Sequence, residues 1–210
     1  MLSVKATAMV SLVAALATVS IAAFVPVLVP GTNTVGRVPS AQKAAFVPGT
    51  NTKAPPRDAE ADELQALSTR HLLMPVKGFD PKALRDNFDE ARGIRRHEAL
   101  DIMAARGTPV VAADDGTIAK LFRSVAGGIT IYQYDPSEKF VYYYAHLDRY
   151  RDGLAQGEAV KRGDVIGYVG STGNAPANAP HLHFTIFQLG PEKKWWRGKA
   201  VNPYPYLAAR

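Results

Sequence analysis

The chain has 210 residues and a formal net charge of +6, with 47% hydrophobic and 21% charged residues. This length accommodates one well-buried domain with an appendage but hardly two catalytic domains, and the composition excludes a wholly disordered chain. Cysteine is absent, which excludes disulfides, thiolate metal sites and a cysteine nucleophile. The excess of basic residues favours an anionic neighbourhood, such as a cell-wall polymer, an anionic lipid headgroup or nucleic acid.

An apolar segment follows the N-terminus. Residues 6–29 carry no charged side chain, and a single lysine precedes them within residues 1–5. The segment is long enough to cross a bilayer as a helix, and the small residues Ser20, Ala22 and Ala23 offer a signal-peptidase site. We therefore expect export, with residues 1–30 acting either as a cleaved signal peptide or as an anchor in the inner membrane.

A repetitive stretch comes next along the chain. Ala-Ala-Phe-Val-Pro occurs at residues 22–26 and 44–48, and Pro-Gly-Thr-Asn-Thr occurs at residues 30–34 and 48–52. Such repeats cannot bury enough apolar surface to offset chain entropy, so residues 31–70 are predicted to be a low-complexity linker. Near its end, residues 58–67 carry early acidic side chains and two leucines three apart, which predicts a short helix leading into the domain.

From residue 71 onward the pattern is that of a mainly β domain, predicted over residues 71–210. Short runs rich in Val, Ile, Tyr and Phe are separated by turn signals such as Asp-Gly and Arg-Gly-Asp. The predicted strands are residues 109–113, 117–122, 128–134, 140–147, 165–169 and 181–188. A single helix is expected here, at residues 81–91. We therefore predict antiparallel β-sheet, arranged in one or two packed sheets.

Four of the five histidines lie in three motifs that accompany these strands. His97 and Asp101 are four residues apart, and His181 and His183 are two apart, so that each pair shares a face in an extended strand. Both members of the first pair could approach one metal if the strand is locally bent. A catalytic zinc ion takes three nitrogen or oxygen ligands plus water. The His–Asp pair and one histidine of His-x-His supply that set. The other histidine and His146 are then not needed as ligands.

Each motif alone has a simpler interpretation. His-x-x-x-Asp is common in surface ion pairs, His-x-His can be two half-exposed sheet residues, and His146 can be a capping or core histidine. His71 belongs to no motif and is interpreted as structural. The occurrence of all three motifs in one domain nevertheless favours a metal site.

The order of the motifs is more specific than their spacing. It runs Arg96-His97-x-x-x-Asp101, Gly107-Thr108-Pro109-Val110, Asp115-Gly116, Tyr144-Ala145-His146-Leu147, Gly163-Asp164-x-Ile166-Gly167, Gly170-Ser171-Thr172-Gly173 and His181-Leu182-His183-Phe184. This order, over about residues 73–207, strongly resembles the lysostaphin/LytM-type zinc endopeptidases, and in particular the exported members of proteobacteria. The resemblance implies a mainly β, sandwich-like catalytic domain with few short helices and a groove walled by loops. It also implies hydrolysis of peptide bonds in peptidoglycan crosslinks or bridges.

The resemblance also implies a site. His97, Asp101 and His183 match the ligands of one zinc ion per chain, and His181 and His146 match the two catalytic histidines. His181 would be the general base, and His146 would orient the water or stabilise the oxyanion, although the two assignments can be exchanged. The chain has no His-Glu-x-x-His helix, so no glutamate takes the general base's role. Glu98 is next to a predicted ligand but would point to the opposite face of a strand, and it is interpreted as supporting the ligands from behind or as exposed to solvent.

Partners and location follow from the same resemblance. The expected substrates are stem peptides and crosslinks of peptidoglycan, with anionic envelope polymers or lipids as further partners, in the periplasm or cell envelope. The three arginines just before the metal motif, at positions 92, 95 and 96, would bind stem-peptide carboxylates or form a solvated charge cluster. Neither the bond that is cut nor the oligomeric state follows from the sequence, although likeness to the proteobacterial members favours a crosslink between D-Ala and meso-diaminopimelate.

Two other functions compete with the peptidase. A catalytically silent scaffold that binds and activates another cell-wall hydrolase is the alternative, but such a relative is expected to lose ligands that this chain keeps. A nucleic-acid-binding module would explain the positive charge, yet the chain lacks the aromatic and basic strand pattern of RNA-binding domains and has an export signal. We therefore expect no nucleic-acid partner.

Overall fold

A computed structural model describes the chain over residues 57–208, with side chains described from residue 61 onward. The predicted signal or anchor segment and most of the predicted linker lie outside these residues, so the predicted boundaries at residues 30 and 70 stay predictions. Within the described range, neither helix has the length and apolar character that a membrane span requires.

The described residues contain two helices and eleven strands. Helix α1 (Arg57–Ser68) confirms the short helix predicted before the domain, and α2 (Tyr204–Leu207) is a single turn near the end. The strands are β1 (Ala91–Arg92), β2 (Arg95–Arg96), β3 (Leu100–Met103), β4 (Pro109–Val111), β5 (Gly116–Ser124), β6 (Gly128–Tyr134), β7 (Phe140–Tyr150), β8 (Ala159–Val160), β9 (Val165–Val169), β10 (His181–Leu189) and β11 (Gly198–Val201).

Nine of these strands form one antiparallel sheet. Its main path runs β11-β10-β7-β6-β5-β8, while β3 pairs with β10, and β9 pairs with both β4 and β7. Strands β1 and β2 form a separate two-stranded hairpin. The prediction of a mainly antiparallel β domain is confirmed, and all six predicted strands are present.

The helix predicted at residues 81–91 is wrong. Asp80 caps a short 3-10 turn at Pro81–Ala83, because its carboxylate accepts a hydrogen bond from the Lys82 backbone N–H. The next residue, Leu84, already has extended backbone angles (φ −65°, ψ 134°) and is buried in the core. Burying this leucine is worth about 1.5–3 kcal/mol, which outweighs the helix propensity of the segment.

The core lies beneath one face of the sheet. Alternation along β7 and β10 places Tyr142, Tyr144, Leu182 and Phe184 in it, each with no exposed surface. Leu67 of α1 is buried in the same cluster. His181 and His183 alternate with Leu182 and Phe184 along β10. They lie on the other face of the strand, as their two-residue spacing predicts.

A buried polar network closes the end of the sheet near α1. The Arg70 guanidinium lies 2.7 Å from the Asp135 carboxylate and 3.2 Å from that of Asp114. The Tyr142 hydroxyl donates to Asp114 at 2.9 Å. These contacts satisfy charges that burial would otherwise penalise.

Candidate metal centre

The three predicted ligands come from β3, β10 and the turn before β3. Asp101 on β3 lies directly opposite His183 on β10 in the antiparallel register. His97 precedes β3 and belongs to no strand, and Glu98 has a left-handed backbone with φ 56°. Four residues of extended strand would separate two side chains by about 13 Å. The turn at Glu98, rather than a bent strand, therefore brings His97 beside Asp101.

The same turn corrects the interpretation of Glu98. This residue is exposed to solvent, as one of the two interpretations expects, but it occupies a turn instead of the opposite face of a strand. Its backbone N–H donates to the Phe88 carbonyl at 2.8 Å, which ties the turn to the preceding loop. A left-handed conformation is uncommon outside glycine and costs on the order of 1–3 kcal/mol, so the surrounding contacts must maintain it.

The three ligand atoms form a small triangle. His97 Nε2 lies 2.9 Å from Asp101 Oδ1, His183 Nδ1 lies 3.1 Å from the same oxygen, and the two nitrogens are 3.2 Å apart. Ligand atoms about 2.0–2.1 Å from a tetrahedral zinc ion lie about 3.3 Å from one another. Two imidazoles and one carboxylate at these separations fit one such ion, and these residues are the group in the described chain that could hold a metal.

His97 is oriented by a backbone contact. Its Nδ1 lies 3.0 Å from the Asn87 carbonyl oxygen, and a carbonyl only accepts, so Nδ1 carries the proton. In the neutral ring Nε2 would offer its lone pair to a metal ion shared with Asp101 and His183. A ligand histidine is commonly held in this way by an acceptor on its other nitrogen.

Two further histidines flank the ligands. His181 Nε2 lies 3.6 Å from Asp101 Oδ1, and the His146 ring centroid lies 5.0 Å from that of His181 and 5.3 Å from that of His183. The Nδ1 atoms of both flanking histidines contact backbone carbonyls at 2.8 Å, His146 that of Thr172 and His181 that of Ala179. Both rings are therefore protonated on Nδ1, and in the neutral form of each ring the lone pair is on Nε2.

His146 stands at an irregularity in β7. Its φ is 59°, and the pairing of β7 shifts register on both sides of this position. Its backbone N–H donates to the Gly127 carbonyl at 2.8 Å. Bulges of this kind redirect a side chain out of the regular alternation, and here the bulge turns His146 toward the ligands.

The charges of the site are coupled. Burial opposes ionisation of Asp101, but hydrogen bonds to His183 and His97 outweigh it and hold the pKa of that carboxyl well below its usual range. Burial lowers the pKa of His183, while for His97 the interactions with Asp101 outweigh burial and raise the pKa. Burial and the nearby charge of His183 lower the pKa of His146 to about 4, which keeps this ring neutral at pH 7.

The sequence did not predict the contacts of two residues that shape the site. The Asn87 side chain accepts from the Asp101 backbone N–H at 3.2 Å, in addition to its carbonyl contact with His97. The Arg92 guanidinium lies 3.0 Å from Asp101 Oδ2. Loops and a hairpin bring these residues to the ligands, and neither lies in a motif whose spacing could have revealed the contact.

Comparison with known proteins identifies the protein family to which the chain belongs. Residues 95–203 match the model of peptidase family M23, and the chain belongs to that family. The match confirms the resemblance seen in the ordered motifs. Because the family is one of metallopeptidases, membership implies a bound metal ion, and the His97–Asp101–His183 group can accommodate one.

The chain is similar in sequence to two named peptidases and in structure to a third protein. The chain is 33% identical over 133 residues to the L-Ala–D-Glu endopeptidase of Bacillus subtilis, covering 60% of this chain and 39% of the relative. It is 35% identical over 115 residues to the peptidoglycan DD-endopeptidase ShyC of Vibrio cholerae, covering 55% and 25%. A putative glycyl-glycine endopeptidase lytM from Ruminococcus gnavus has a similar structure, with a TM-score of 0.59, 30% identity and coverage of 72% and 64%. The chain thus spans less than half the length of the first two proteins.

Proposed function

We propose that the chain is a zinc-dependent endopeptidase that hydrolyses peptide crosslinks of peptidoglycan in the cell envelope, outside the cytoplasm. The observation that carries the proposal is the convergence of His97, Asp101 and His183 at 2.9–3.2 Å beside two further histidines. A structural zinc site has four protein ligands, whereas three ligands leave a position open for a reacting molecule. Membership of peptidase family M23 supports this interpretation.

Zinc would supply Lewis acidity, activating a water molecule as the nucleophile and polarising the scissile carbonyl. His181 is proposed as the general base, because its Nε2 carries a lone pair and lies 3.6 Å from the ligand oxygen of Asp101. It takes a proton from the attacking water and delivers that proton to the amine that leaves. The Ala179 carbonyl would hold the Nδ1 proton throughout, so that Nε2 alone accepts and returns the transferred proton.

His146 has a different task in this proposal. With Nδ1–H donated to the Thr172 carbonyl, its neutral ring offers only a lone pair at Nε2. It can accept a hydrogen bond from the attacking water and so orient it. Stabilising an oxyanion would require a second proton on the ring, which burial disfavours. The geometry therefore supports the water-orienting role.

The substrate is proposed from the relatives. The names of the Bacillus and Vibrio proteins describe endopeptidases, one of L-Ala–D-Glu bonds and one of peptidoglycan. These names specify different bonds, so they support peptidoglycan peptides as the substrate class without selecting one linkage. A D-Ala–meso-diaminopimelate crosslink is our first choice for the assay, as the sequence resemblance suggests.

Purified full chain should contain about one zinc ion by elemental analysis and should release new peptide ends from isolated sacculi, identified by mass spectrometry. His183→Ala should lose metal and turnover, whereas His181→Ala should retain metal and lose turnover. His71→Asn is the matched control, because His71 is exposed with φ 54°, a backbone conformation that Asn tolerates. It should retain both properties.

Two results would count against the proposal. Wild-type protein that binds no metal would exclude the zinc site itself. Metal-loaded protein that leaves every crosslink type intact would favour the catalytically silent scaffold, which would then be tested by adding a second wall hydrolase.

A further inference from the structure

The carboxylate of Asp101 divides its two oxygens between different partners. Oδ1 faces His97 Nε2 and His183 Nδ1 at 2.9 and 3.1 Å. Oδ2 lies 3.0 Å from Arg92 Nη2. The same Arg92 nitrogen lies 2.9 Å from Glu90 Oε2. One guanidinium nitrogen thus joins a ligand carboxylate to a second carboxylate that is not part of the ligand set.

We infer that Arg92 is a positioning residue for the metal centre: it holds Asp101 Oδ2 so that Oδ1 alone is presented to the ion. The inference rests on the proposed zinc site. A carboxylate that rotates freely can offer either oxygen or both to a metal. A charge-assisted hydrogen bond to Oδ2 removes that freedom, and a guanidinium is suited to it because it is planar, always protonated and unable to accept.

The hairpin that carries Arg92 is anchored beside the ligands. Its two strands pair Arg92 with Arg95 across a turn in which Gly93 has φ 68°. The His97 backbone N–H donates to the Glu90 carbonyl at 2.9 Å, which continues this pairing toward the site. The hairpin therefore places Arg92, its partner Glu90 and the ligand His97 on one short piece of backbone.

Arg92 affects a bound cation in two opposing ways. Its positive charge repels the ion and weakens binding, whereas its hold on Asp101 removes a rotational cost of binding and strengthens it. The contact of Arg92 with Glu90 determines whether charge repulsion or the orientation of Asp101 has the larger effect on affinity. Because its carboxylate lies 2.9 Å from the Arg92 guanidinium, the net charge of the Glu90–Arg92 pair is close to zero. The repulsion is largely compensated, and the orienting effect should dominate.

The test measures zinc affinity of the full chain by competition with a chromophoric chelator at neutral pH. Removing a hydrogen-bond partner of a metal ligand typically weakens metal affinity about 10- to 100-fold. We expect a loss of this size in Arg92→Gln and a smaller one in Arg92→Lys, which keeps the charge but not the planar fork. Arg96→Gln is the matched control, because Arg96 belongs to the same hairpin but pairs with exposed Asp89 at 2.6 Å. Its affinity should equal that of the wild type.

A second measurement reports coordination directly. In cobalt-substituted protein, a carboxylate released from Arg92 can bind through both oxygens, which raises the coordination number and weakens the visible absorption bands. We expect weaker bands in Arg92→Gln and unchanged bands in Arg96→Gln. Urea unfolding of the metal-free proteins should give the same midpoint for both variants, because both ion pairs involve a half-exposed or exposed arginine.

Several outcomes would overturn the inference. Unchanged or tighter zinc binding by Arg92→Gln would show that charge repulsion dominates or that Asp101 needs no support. An affinity loss matched by an equal loss of metal-free stability would show a merely structural role. If the wild type binds no zinc, the proposed function is overturned as well. This outcome differs from failure of the inference alone, in which the wild type binds zinc and Arg92→Gln binds it equally well.

Discussion

Two loops meet closely behind His146, and their contact leaves no room for a side chain at Gly128 or Gly173. The turn at residues 125–128 contacts the loop at residues 171–174, whose Thr172 carbonyl accepts the His146 Nδ1 proton. A Cβ atom added at Gly128 would lie 2.4 Å from the Thr172 carbonyl carbon and 2.5 Å from the Gly173 nitrogen. These are backbone atoms, which cannot rotate away as the end of a side chain can. Gly128→Ala should therefore separate the loops and displace the carbonyl that orients His146.

The expected cost has two parts that the chain allows to be separated. Gly128 has φ 67°, and alanine in this left-handed region costs about 1–2 kcal/mol. Crowding against the backbone of the second loop adds about 1–3 kcal/mol. Gly153 has φ 75° but nothing within 4 Å of its added Cβ, so Gly153→Ala carries the first cost alone. We expect destabilisation of about 2–5 kcal/mol for Gly128→Ala and about 1–2 kcal/mol for Gly153→Ala.

Urea unfolding of both variants measures this difference, and zinc affinity and turnover on muropeptides measure its consequence for the site. Zinc affinity should be preserved in Gly128→Ala, because its predicted ligands come from β3, β10 and the turn before β3. Turnover should fall in Gly128→Ala and remain normal in Gly153→Ala. Equal destabilisation of the two variants would refute the close-contact argument, and normal turnover in Gly128→Ala would refute the role of the Thr172 carbonyl.

Three further predictions concern stability. Arg70→Met leaves the buried Asp135 carboxylate without its cation and should cost about 3–5 kcal/mol by urea unfolding, whereas exposed Arg123→Met should change stability by less than about 0.5 kcal/mol. Thr172→Val leaves the Ile129 N–H without its acceptor hydroxyl and should cost about 1–3 kcal/mol in the same assay. Burial raises the pKa of several tyrosines and shifts four of them most, that of Tyr132 to about 12 and those of Tyr142, Tyr143 and Tyr144 further. Because the unfolded chain then loses these protons first, stability is fully present below about pH 10 and should fall by about 4 kcal/mol between pH 10 and pH 11, in step with the phenolate absorbance of the unfolding protein.

The strands were predictable because their signal is local. Runs such as residues 128–134 and 165–169 combine β-branched and aromatic residues with turn residues at both ends, and the structure reproduces their bounds. The two-residue spacing also correctly placed His181 and His183 on one face of β10. The helix prediction for residues 81–91 failed because burial of Leu84 is a tertiary effect, which helix propensity does not include.

The candidate site was predictable only in part, because the contacts that orient its side chains are tertiary and leave no local sequence signal. The ordered motifs selected five side chains, and the structure brings all five together. The contacts that orient them join residues far apart in sequence or lie in irregular turns: His146 to Thr172 spans 26 residues, and Asp101 to Asn87 spans 14. The left-handed backbone at Glu98 has no marker either, because glycine would signal such a turn and glutamate does not.

His183 is held by one kind of support, and the rings of His146 and His181 are held by another. The ligand His183 sits on regular sheet opposite Asp101, where strand pairing fixes the separation. The rings of His146 and His181 are instead oriented by main-chain carbonyls of the loop between β9 and β10, at Thr172 and Ala179. A carbonyl is present whatever side chain the residue carries, so the side chains of this loop can change while both rings keep their tautomer. What such changes must preserve is the path of the backbone, which the close packing at Gly128 and Gly173 restrains. Changes in the sequence of this loop can therefore alter what binds near the predicted metal site without displacing the rings of His146 and His181, provided that these glycines remain.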